Sequence, residues 1–360
     1  MTGKERAWRA LNFEETDRVP IAGGLIGHPE FLAQAAGVAD FWANPRENLF
    51  AACRAIGCDA VLGPVMPKHP DSTTRDAQGR ATIYSLHDER PTLVTPEAVA
   101  EYADSVCSPR ERRATMDVQK YYDDYVRLMG EGERECGDML FIPHCLGYAP
   151  AYPTSTGFFA YDAFLMACAL YPEAMEKLFA YWGEEARVRA EAVAKATREH
   201  GLLPLLWVGT DLCTRKGPVL SPTLLERLYF PQVRGMLEPL KDAGMRVVWH
   251  ADANYREILP QMIALGLDGF QGFYEEAGGM QLEDVAARKA MSGDPLLIFG
   301  SVSTVRVLPS GTPAEVERAV RRCVQVAQGR GGGLLIAPSS SIGPETPIEN
   351  IWAMYRAPRA

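Results

Sequence analysis

The sequence predicts a single (β/α)8 TIM barrel of the α/β class, in which parallel strands are surrounded by helices. Three observations support this prediction: short apolar stretches alternate with amphipathic ones, many apolar stretches end in polar residues, and the chain has 360 residues. Buried parallel strands are short and apolar throughout, and barrels of this kind take ~250 residues or more with insertions. We therefore expect one domain over residues 1–360.

Eight apolar stretches have the length and composition of buried strands. In chain order they are Arg18–Gly24, Asp59–Val65, Met139–Cys145, Leu205–Asp211, Arg246–Asp252, Asp268–Phe273, Leu296–Val302 and Gly333–Pro338. The pattern is weakest at Asp268–Phe273. The first stretch also fits an auxiliary strand at the bottom of a barrel, so the count alone does not establish eight barrel strands.

Helix start and stop signals separate these stretches. Asn44 and the proline after it begin a helix that ends at Gly57, and Pro172 begins a long one that ends at Gly201. Residues 67–91 lack this rhythm and are rich in turn residues. We interpret them as a β-hairpin excursion over the mouth of the barrel.

The composition excludes several classes of function. The net charge is −9 and no long basic block occurs, which disfavours nucleic-acid binding. Every apolar stretch long enough to span a bilayer is interrupted by a charge or a proline, and the first residues are charged, so neither a membrane segment nor export is expected. Eight cysteines without a CxxC pair indicate reduced thiols. We expect a cytoplasmic protein.

Glycine patterns argue against a nucleotide-dependent enzyme. The run Gly331–Gly333 precedes a predicted strand, whereas a phosphate-binding loop follows one. Neither GxGxxG nor GxxxxGK[ST] occurs in the chain. A nicotinamide-dependent or ATP-dependent activity is therefore disfavoured.

Polar side chains follow several predicted strands at their carboxyl ends, where barrel enzymes bind substrates. His250 and Asp252 lie two positions apart, so in extended chain they face the same side. We predict that these two residues, together with Asp211 and His144, are catalytic. A histidine hydrogen-bonded to a loop and an aspartate that caps a turn are the structural alternatives, and Glu226 also fits an ordinary solvated helix position.

Further side chains near the predicted strands are candidates for substrate binding. For Trp207, burial in the barrel wall is the ordinary alternative. The candidates are Asp59, Trp207, Gln271, Tyr274, Ser301 and Ser340.

Ordered segments over nearly the whole chain carry a family resemblance. They are Lys4–Arg6, Ala10–Glu14, Asp17–Pro20, Asn44–Ala60, Leu220–Pro222, His250–Asn254, Ile258–Pro260, Gly300–Val302, Gly311–Pro313 and Pro347–Ile351, with Pro338. Together these segments resemble the uroporphyrinogen decarboxylase superfamily. The superfamily contains decarboxylases and corrinoid-dependent methyltransferases, so membership leaves the reaction open.

Departures from the family patterns favour one branch. No arginine or lysine lies between Pro20 and Asp40, where the decarboxylases have an arginine-rich signature, although Asp59 matches the position of their catalytic aspartate. The coenzyme M methyltransferases hold zinc with a His-x-Cys pair and a distant cysteine, and here those positions are His250, Asp252 and Ser340. The resemblance is greater to the ether-cleaving methyltransferases, whose metal is held by carboxylates and histidine.

That resemblance implies transfer of a methyl group from an O-methylated small molecule to a corrinoid protein, which is O-demethylation. It implies zinc bound by Asp211 and His250 with Glu226 or Asp252, and cobalamin carried by the partner, because no Asp-x-His-x-x-Gly motif occurs here. His144 or Tyr274 would then protonate the leaving oxygen. A homo-oligomer is compatible with the sequence.

Two alternatives stay open. In a metal-free lyase, His250 and Asp252 would act as an acid and base pair, and Asp59 or Asp211 would stabilise a cation as carbon dioxide leaves. The other alternative is a non-catalytic protein that binds a corrinoid or a tetrapyrrole. Ser303 stands where the family has the aspartate of a Gly-x-x-Asp element.

Overall fold

The computed structural model describes residues 1–67, 69, 91–153, 157–273, 275–276 and 279–359. The hairpin predicted near residues 67–91 therefore lies almost entirely outside the described residues. Tyr274, one of the predicted substrate-binding residues, also lies outside them.

The described residues form ten strands. They are β1 Ala22–Gly23, β2 Ala60–Leu62, β3 Leu140–Ile142, β4 Leu205–Gly209, β5 Cys213–Thr214, β6 Gly217–Pro218, β7 Arg246–Ala251, β8 Gly269–Gly272, β9 Leu297–Phe299 and β10 Leu334–Leu335. Each of the eight parallel strands lies within one predicted stretch, and each is shorter than its stretch. The antiparallel pair β5 and β6 was not predicted.

The parallel strands form two sheets. One has the order β1-β2-β3 and the other the order β10-β9-β8-β7-β4. Isolated parallel bridges pair Ile21 with Ile336 and His144 with Trp207. The described chain is therefore a mixed α/β fold with parallel sheets in a TIM-barrel-like arrangement, and the carboxyl ends of the strands lie at one end of it.

Helices follow most strands. They are α1 Gly3–Leu11, α2 Pro29–Ala36, α3 Pro45–Ala55, α4 Pro96–Ser105, α5 Pro109–Ala114, α6 Val118–Cys136, α7 Tyr161–Leu170, α8 Pro172–His200, α9 Pro222–Leu224, α10 Phe230–Asp242, α11 Leu259–Ala264, α12 Leu282–Ala286, α13 Val307–Ser310, α14 Pro313–Gly329 and α15 Ile348–Arg356. A π-helical turn, Leu225–Tyr229, joins α9 to α10.

Local sequence explains where these helices begin and end. Thr312 caps α14 through a reciprocal capping box with Glu315. The long helix α8 begins with Pro172 and ends at Gly201, whose φ of 61° is in the left-handed region that glycine adopts at low cost. Both of these boundaries follow the proline and glycine signals of the sequence.

Two apolar layers hold the fold together. The inner cluster contains side chains from most of the parallel strands, including Leu140, Trp207, Val248 and Phe299. The larger outer cluster lies between the strands and the surrounding helices. Because successive strand residues face opposite sides, one strand supplies both clusters, as Trp207 and Val208 show.

The cap of α2 gives a testable pH dependence. His28 is 5% exposed, and its Nδ1 accepts a hydrogen bond of 3.1 Å from the backbone N–H of Phe31. Burial lowers the pKa of His28, and the negative charges of Glu30 and Glu345 raise it by a smaller amount. A histidine whose pKa is lower in the folded protein than in the unfolded chain stabilises the folded protein fully above the pKa of the unfolded chain, about 6.5. This stabilisation is lost as the pH falls through the pKa of the folded protein.

We expect His28→Asn to keep the cap and to reduce the loss of stability on acidification. The asparagine side chain can accept the same hydrogen bond but has no proton to gain. Urea unfolding at about pH 7.5 and about pH 5 measures the difference, since unfolding free energy follows the protons bound. An unchanged difference between the two pH values in the variant would show that His28 does not carry this dependence.

Candidate active site

The register of two neighbouring strands brings His250 and Asp211 together. Strand β4 pairs with β7 so that Gly209 lies opposite His250, and Asp211 follows β4 two residues later. The distance from His250 Nε2 to Asp211 Oδ1 is 3.8 Å. The side chain of His250 is 16% exposed and that of Asp211 is 52% exposed, so the pair faces the mouth.

Gly209 makes this approach possible. Its φ of 149° lies outside the range that residues with a side chain readily adopt. A Cβ atom at this position would lie 2.6 Å from the backbone nitrogen of His250. A glycine near the end of a strand is a signal of such close approach, and Gly209 is a residue of the site that was not predicted.

Gln271 contacts His250 from the next strand. Strand β8 pairs with β7 so that Gln271 lies opposite His250, and its Oε1 is 2.5 Å from His250 Nδ1. Its Nε2 donates a hydrogen bond of 3.0 Å to the carbonyl oxygen of Ser339. Gln271 is completely buried. The structure therefore gives it a role in holding His250, in place of the predicted contact with substrate.

His144 lies at the same mouth. It follows β3, is exposed, and its ring makes an edge contact with Trp207 at 5.1 Å between centroids. The ring of Trp207 is 6.3 Å from that of His250, and Trp207 is 1% exposed in the inner cluster. Partial desolvation, followed by the charge of His250, lowers the pKa of His144. At neutral pH His144 is therefore suited to accept a proton, not to donate one.

A cavity of about 440 Å³ opens beside His250 and Asp211. The loop after β3 forms one wall and the end of β4 forms the other. The lining residues are Gly147, Ala149, Pro150, Ala151, Tyr152, Gly209, Thr210, Asp211 and His250. Among these described residues none is a lysine or an arginine. The volume is appropriate for a small molecule, and the charged side chain of Asp211 and the ring of His250 lie at the strand ends.

The surroundings of Asp211 raise the pKa of its carboxyl group. Burial raises the pKa of Asp211, and the charge of Asp252 raises it further, while His250 acts in the opposite direction. Asp252 is half-buried directly after β7. Asp211 therefore holds its proton to a higher pH than an ordinary aspartate does.

Tyrosines near this site were not predicted. Tyr161 begins α7, and burial together with the charge of Asp211 raises its pKa. Tyr152 lines the cavity and is 7% exposed, and in the described structure its buried hydroxyl has no hydrogen-bond partner. Its ring makes an edge contact with Tyr229 at 5.4 Å. No periodic pattern in the sequence distinguishes these tyrosines from packing residues.

Three further predicted site residues lie on other elements of the fold. Glu226 is exposed on the π-helical turn. Ser301 is 5% exposed and lies close enough to Glu275 to affect its pKa. Ser340 is half-buried beyond β10. In the described part of the chain, no three His, Cys, Asp or Glu side chains are grouped so that they could hold a metal ion.

Asp59 is separated from the mouth by the length of its strand. It precedes β2, and its carboxylate accepts hydrogen bonds from Arg6 at 2.6 Å and from Arg18 at 2.6 and 2.9 Å. The backbone N–H of Ile21 donates a further bond of 2.9 Å. Asp59 is 1% exposed. These contacts satisfy the carboxylate inside the protein, which corrects the expectation that it faces a substrate.

Comparisons with known proteins agree with the resemblance inferred from the sequence. Residues 210–360 match the family described as Uroporphyrinogen decarboxylase (URO-D). The structure resembles that of a methyltransferase from Methanosarcina mazei, with 17% sequence identity and a TM-score of 0.63 over 100% of this chain and 98% of that chain. The comparison with curated proteins gave no match.

At this level of identity the structural likeness shows the fold alone. In the described part of the chain, no helix has the length and apolar character needed to cross a bilayer. The part of the chain that matches the family, residues 210–360, includes Asp211, His250 and Asp252. The family match therefore covers these three residues of the candidate site, and the structural likeness covers the fold of the whole chain.

Proposed function

We propose that the protein is a methyltransferase that removes a methyl group from an uncharged O-methylated small molecule and transfers it to a corrinoid protein. The observation that carries this proposal is the cavity beside His250 and Asp211, whose described lining contains a histidine and a carboxylate but no cationic side chain. The fold shared with a methyltransferase supports the reaction class.

The lining of the cavity favours an uncharged substrate. A carboxylated substrate would need an arginine or a lysine to replace its hydration, because an unpaired buried charge is costly. An ether oxygen and a methyl group need only an apolar wall and a few polar contacts. The apolar wall is formed by Ala149, Pro150 and Ala151. The polar contacts can come from Thr210, Asp211 and His250.

The transfer can be written so that electrons and protons balance. The bond between oxygen and the methyl carbon breaks, and its electron pair stays on oxygen. The Co(I) corrinoid of the partner, as the methyl-accepting substrate, supplies the electron pair of the new bond to carbon. The oxygen left behind needs a proton. Asp211 can donate it because its raised pKa keeps more of it protonated than an ordinary aspartate.

Zinc is part of this proposal, and the described residues fit it only in part. His250 Nε2 and Asp211 Oδ1 are 3.8 Å apart and are suitable donors, while Glu226 is exposed on another turn. Catalytic zinc sites commonly have three protein ligands. Bound to His250 and Asp211, zinc would act as a Lewis acid on the ether oxygen. A carboxylate that binds zinc is deprotonated, so Asp211 would donate a proton only in the metal-free site, and with zinc bound the leaving oxygen would take its proton from water.

Other finer features belong to the same proposal. We infer that the two sheets form one closed (β/α)8 barrel, because the bridges Ile21–Ile336 and His144–Trp207 pair the outer strands of one sheet with those of the other. A cytoplasmic location and a separate corrinoid protein as partner are consistent with the reaction.

The test is a single-turnover assay with free cob(I)alamin and a panel of methoxylated phenols and alcohols, with and without added zinc. We expect alkylation of the cobalt, seen by absorbance, by the unmodified protein. Asp211→Asn should slow it by about 100-fold or more, because the proton donor is lost. Glu226→Gln is the matched control and should react at an unchanged rate. Metal analysis of the same samples tests the zinc.

One observation supports a second candidate. Asp211 with a raised pKa beside His250 is also a suitable acid and base pair for a metal-free lyase. If the unmodified protein alkylates no cobalt with any donor, while it releases carbon dioxide from a carboxylated compound, the lyase replaces the methyltransferase.

A further inference from the structure

The orientation of one buried amide determines which nitrogen of His250 is free. The side chain of Gln271 has a different partner at each end, His250 Nδ1 at 2.5 Å and the carbonyl oxygen of Ser339 at 3.0 Å. A carbonyl oxygen can only accept a hydrogen bond, so the atom of Gln271 that faces Ser339 must be the NH₂ group. The oxygen of the amide then faces His250.

The oxygen of an amide is an acceptor, so His250 Nδ1 must carry a proton to make this contact. In the neutral ring the other nitrogen, Nε2, then has a lone pair. That nitrogen lies 3.8 Å from Asp211 at the cavity, where a ligand can reach it. The opposite tautomer would place two acceptors against each other at 2.5 Å inside the protein.

We propose that Gln271 is a positioning residue, which fixes the proton of neutral His250 on Nδ1 and presents the lone pair of Nε2 to the cavity. The ligand of that nitrogen is an acidic proton or a divalent cation, since both need a lone pair. Ser339 takes part through its backbone carbonyl, which accepts the hydrogen bond from Gln271. The proposal does not depend on the methyl-transfer reaction.

The bonds of Ser339 make the arrangement rigid. Its backbone N–H donates to the carbonyl oxygen of Val302 at 2.9 Å, and its hydroxyl oxygen accepts a bond from the N–H of Thr304 at 3.1 Å. These bonds hold the Ser339 carbonyl in place against Gln271. Gln271 cannot rotate its amide without losing both partners, because it is completely buried.

Nitrogen-15 NMR of histidine-labelled protein tests the proposal directly. The chain has six histidines, and the signal missing in His250→Ala assigns His250. We expect the unmodified protein at mildly alkaline pH to show a protonated Nδ1 and an unprotonated Nε2. In Gln271→Met, which keeps the size but removes both polar ends, His250 should change to the Nε2–H form that neutral imidazole side chains prefer in water.

Gln232→Met is the matched control, because Gln232 is a half-buried glutamine on α10 away from His250. It should leave the signals of His250 unchanged. A protonated Nε2 in the unmodified protein would overturn the proposal, even if Gln271→Met does not fold. An unchanged tautomer in folded Gln271→Met would overturn it as well. Neither outcome affects the proposed reaction, which the cobalt assay tests separately.

Discussion

His250→Ala is expected to reduce methyl transfer by about 100-fold to 10,000-fold, the range over which acid and base groups contribute to catalysis. The imidazole forms one wall of the cavity and lies 3.8 Å from Asp211. Its removal takes away the Nε2 lone pair and the charge that opposes the raised pKa of Asp211. The rate of cobalt alkylation measures the loss, and metal analysis shows whether zinc is lost with it.

The control for this variant is His200→Ala. His200 is an exposed histidine in the last turn of α8, where it contacts Tyr122. Its replacement should leave the rate unchanged. The unfolding transition of His250→Ala should remain cooperative, since the side chain is at the mouth and outside both apolar clusters. A rate within about tenfold of the unmodified protein would remove His250 from the catalytic groups.

The sequence predicts the strands because parallel strands buried on both faces have a simple pattern. Leu205–Gly209 is apolar and buried throughout. The hairpin of β5 and β6 has no such pattern, because two-residue strands leave no room for alternation. Its position depends on contacts such as the bond from the N–H of Asn254 to the carbonyl of Thr214.

The candidate site is predictable as far as it depends on the ends of strands. Asp211 and His250 each follow or end an apolar stretch, and parallel pairing brings such positions together. The role of Gln271 is not predictable in this way. It depends on which end of the buried amide of Gln271 faces His250. It also depends on a backbone carbonyl that lies 68 positions further along the chain. Sequence spacing contains neither piece of information.

Asp59 shows the limit of an inference from position within a family. The predicted stretch Asp59–Val65 already places this aspartate at the beginning of its strand, whereas substrates bind at the other end. Arg6 and Arg18, its partners, lie more than 40 positions earlier in the chain. The positive charges of these two arginines balance the buried carboxylate of Asp59, so no ligand is needed to explain it.

Asp59→Asn is therefore expected to lower the free energy of unfolding by about 3–5 kcal/mol, the cost of removing one partner of a buried ion pair. Side-chain exposure is 2% for Asp59, 9% for Arg6 and 22% for Arg18, so water cannot replace the lost charge fully. The backbone N–H of Ile21 also depends on this carboxylate. Urea unfolding measures the change.

Asp17→Asn separates this effect from a general loss of charge. Asp17 also pairs with Arg6, at 2.5 Å, but its side chain is 51% exposed, and exposed pairs contribute about 1 kcal/mol or less. Below its unfolding transition, Asp59→Asn should keep its affinity for the methyl donor. Equal stability of the two variants, with a raised KM for Asp59→Asn alone, would instead support the substrate-binding role. A stability loss confined to Asp59→Asn would place its function in the buried ion pair.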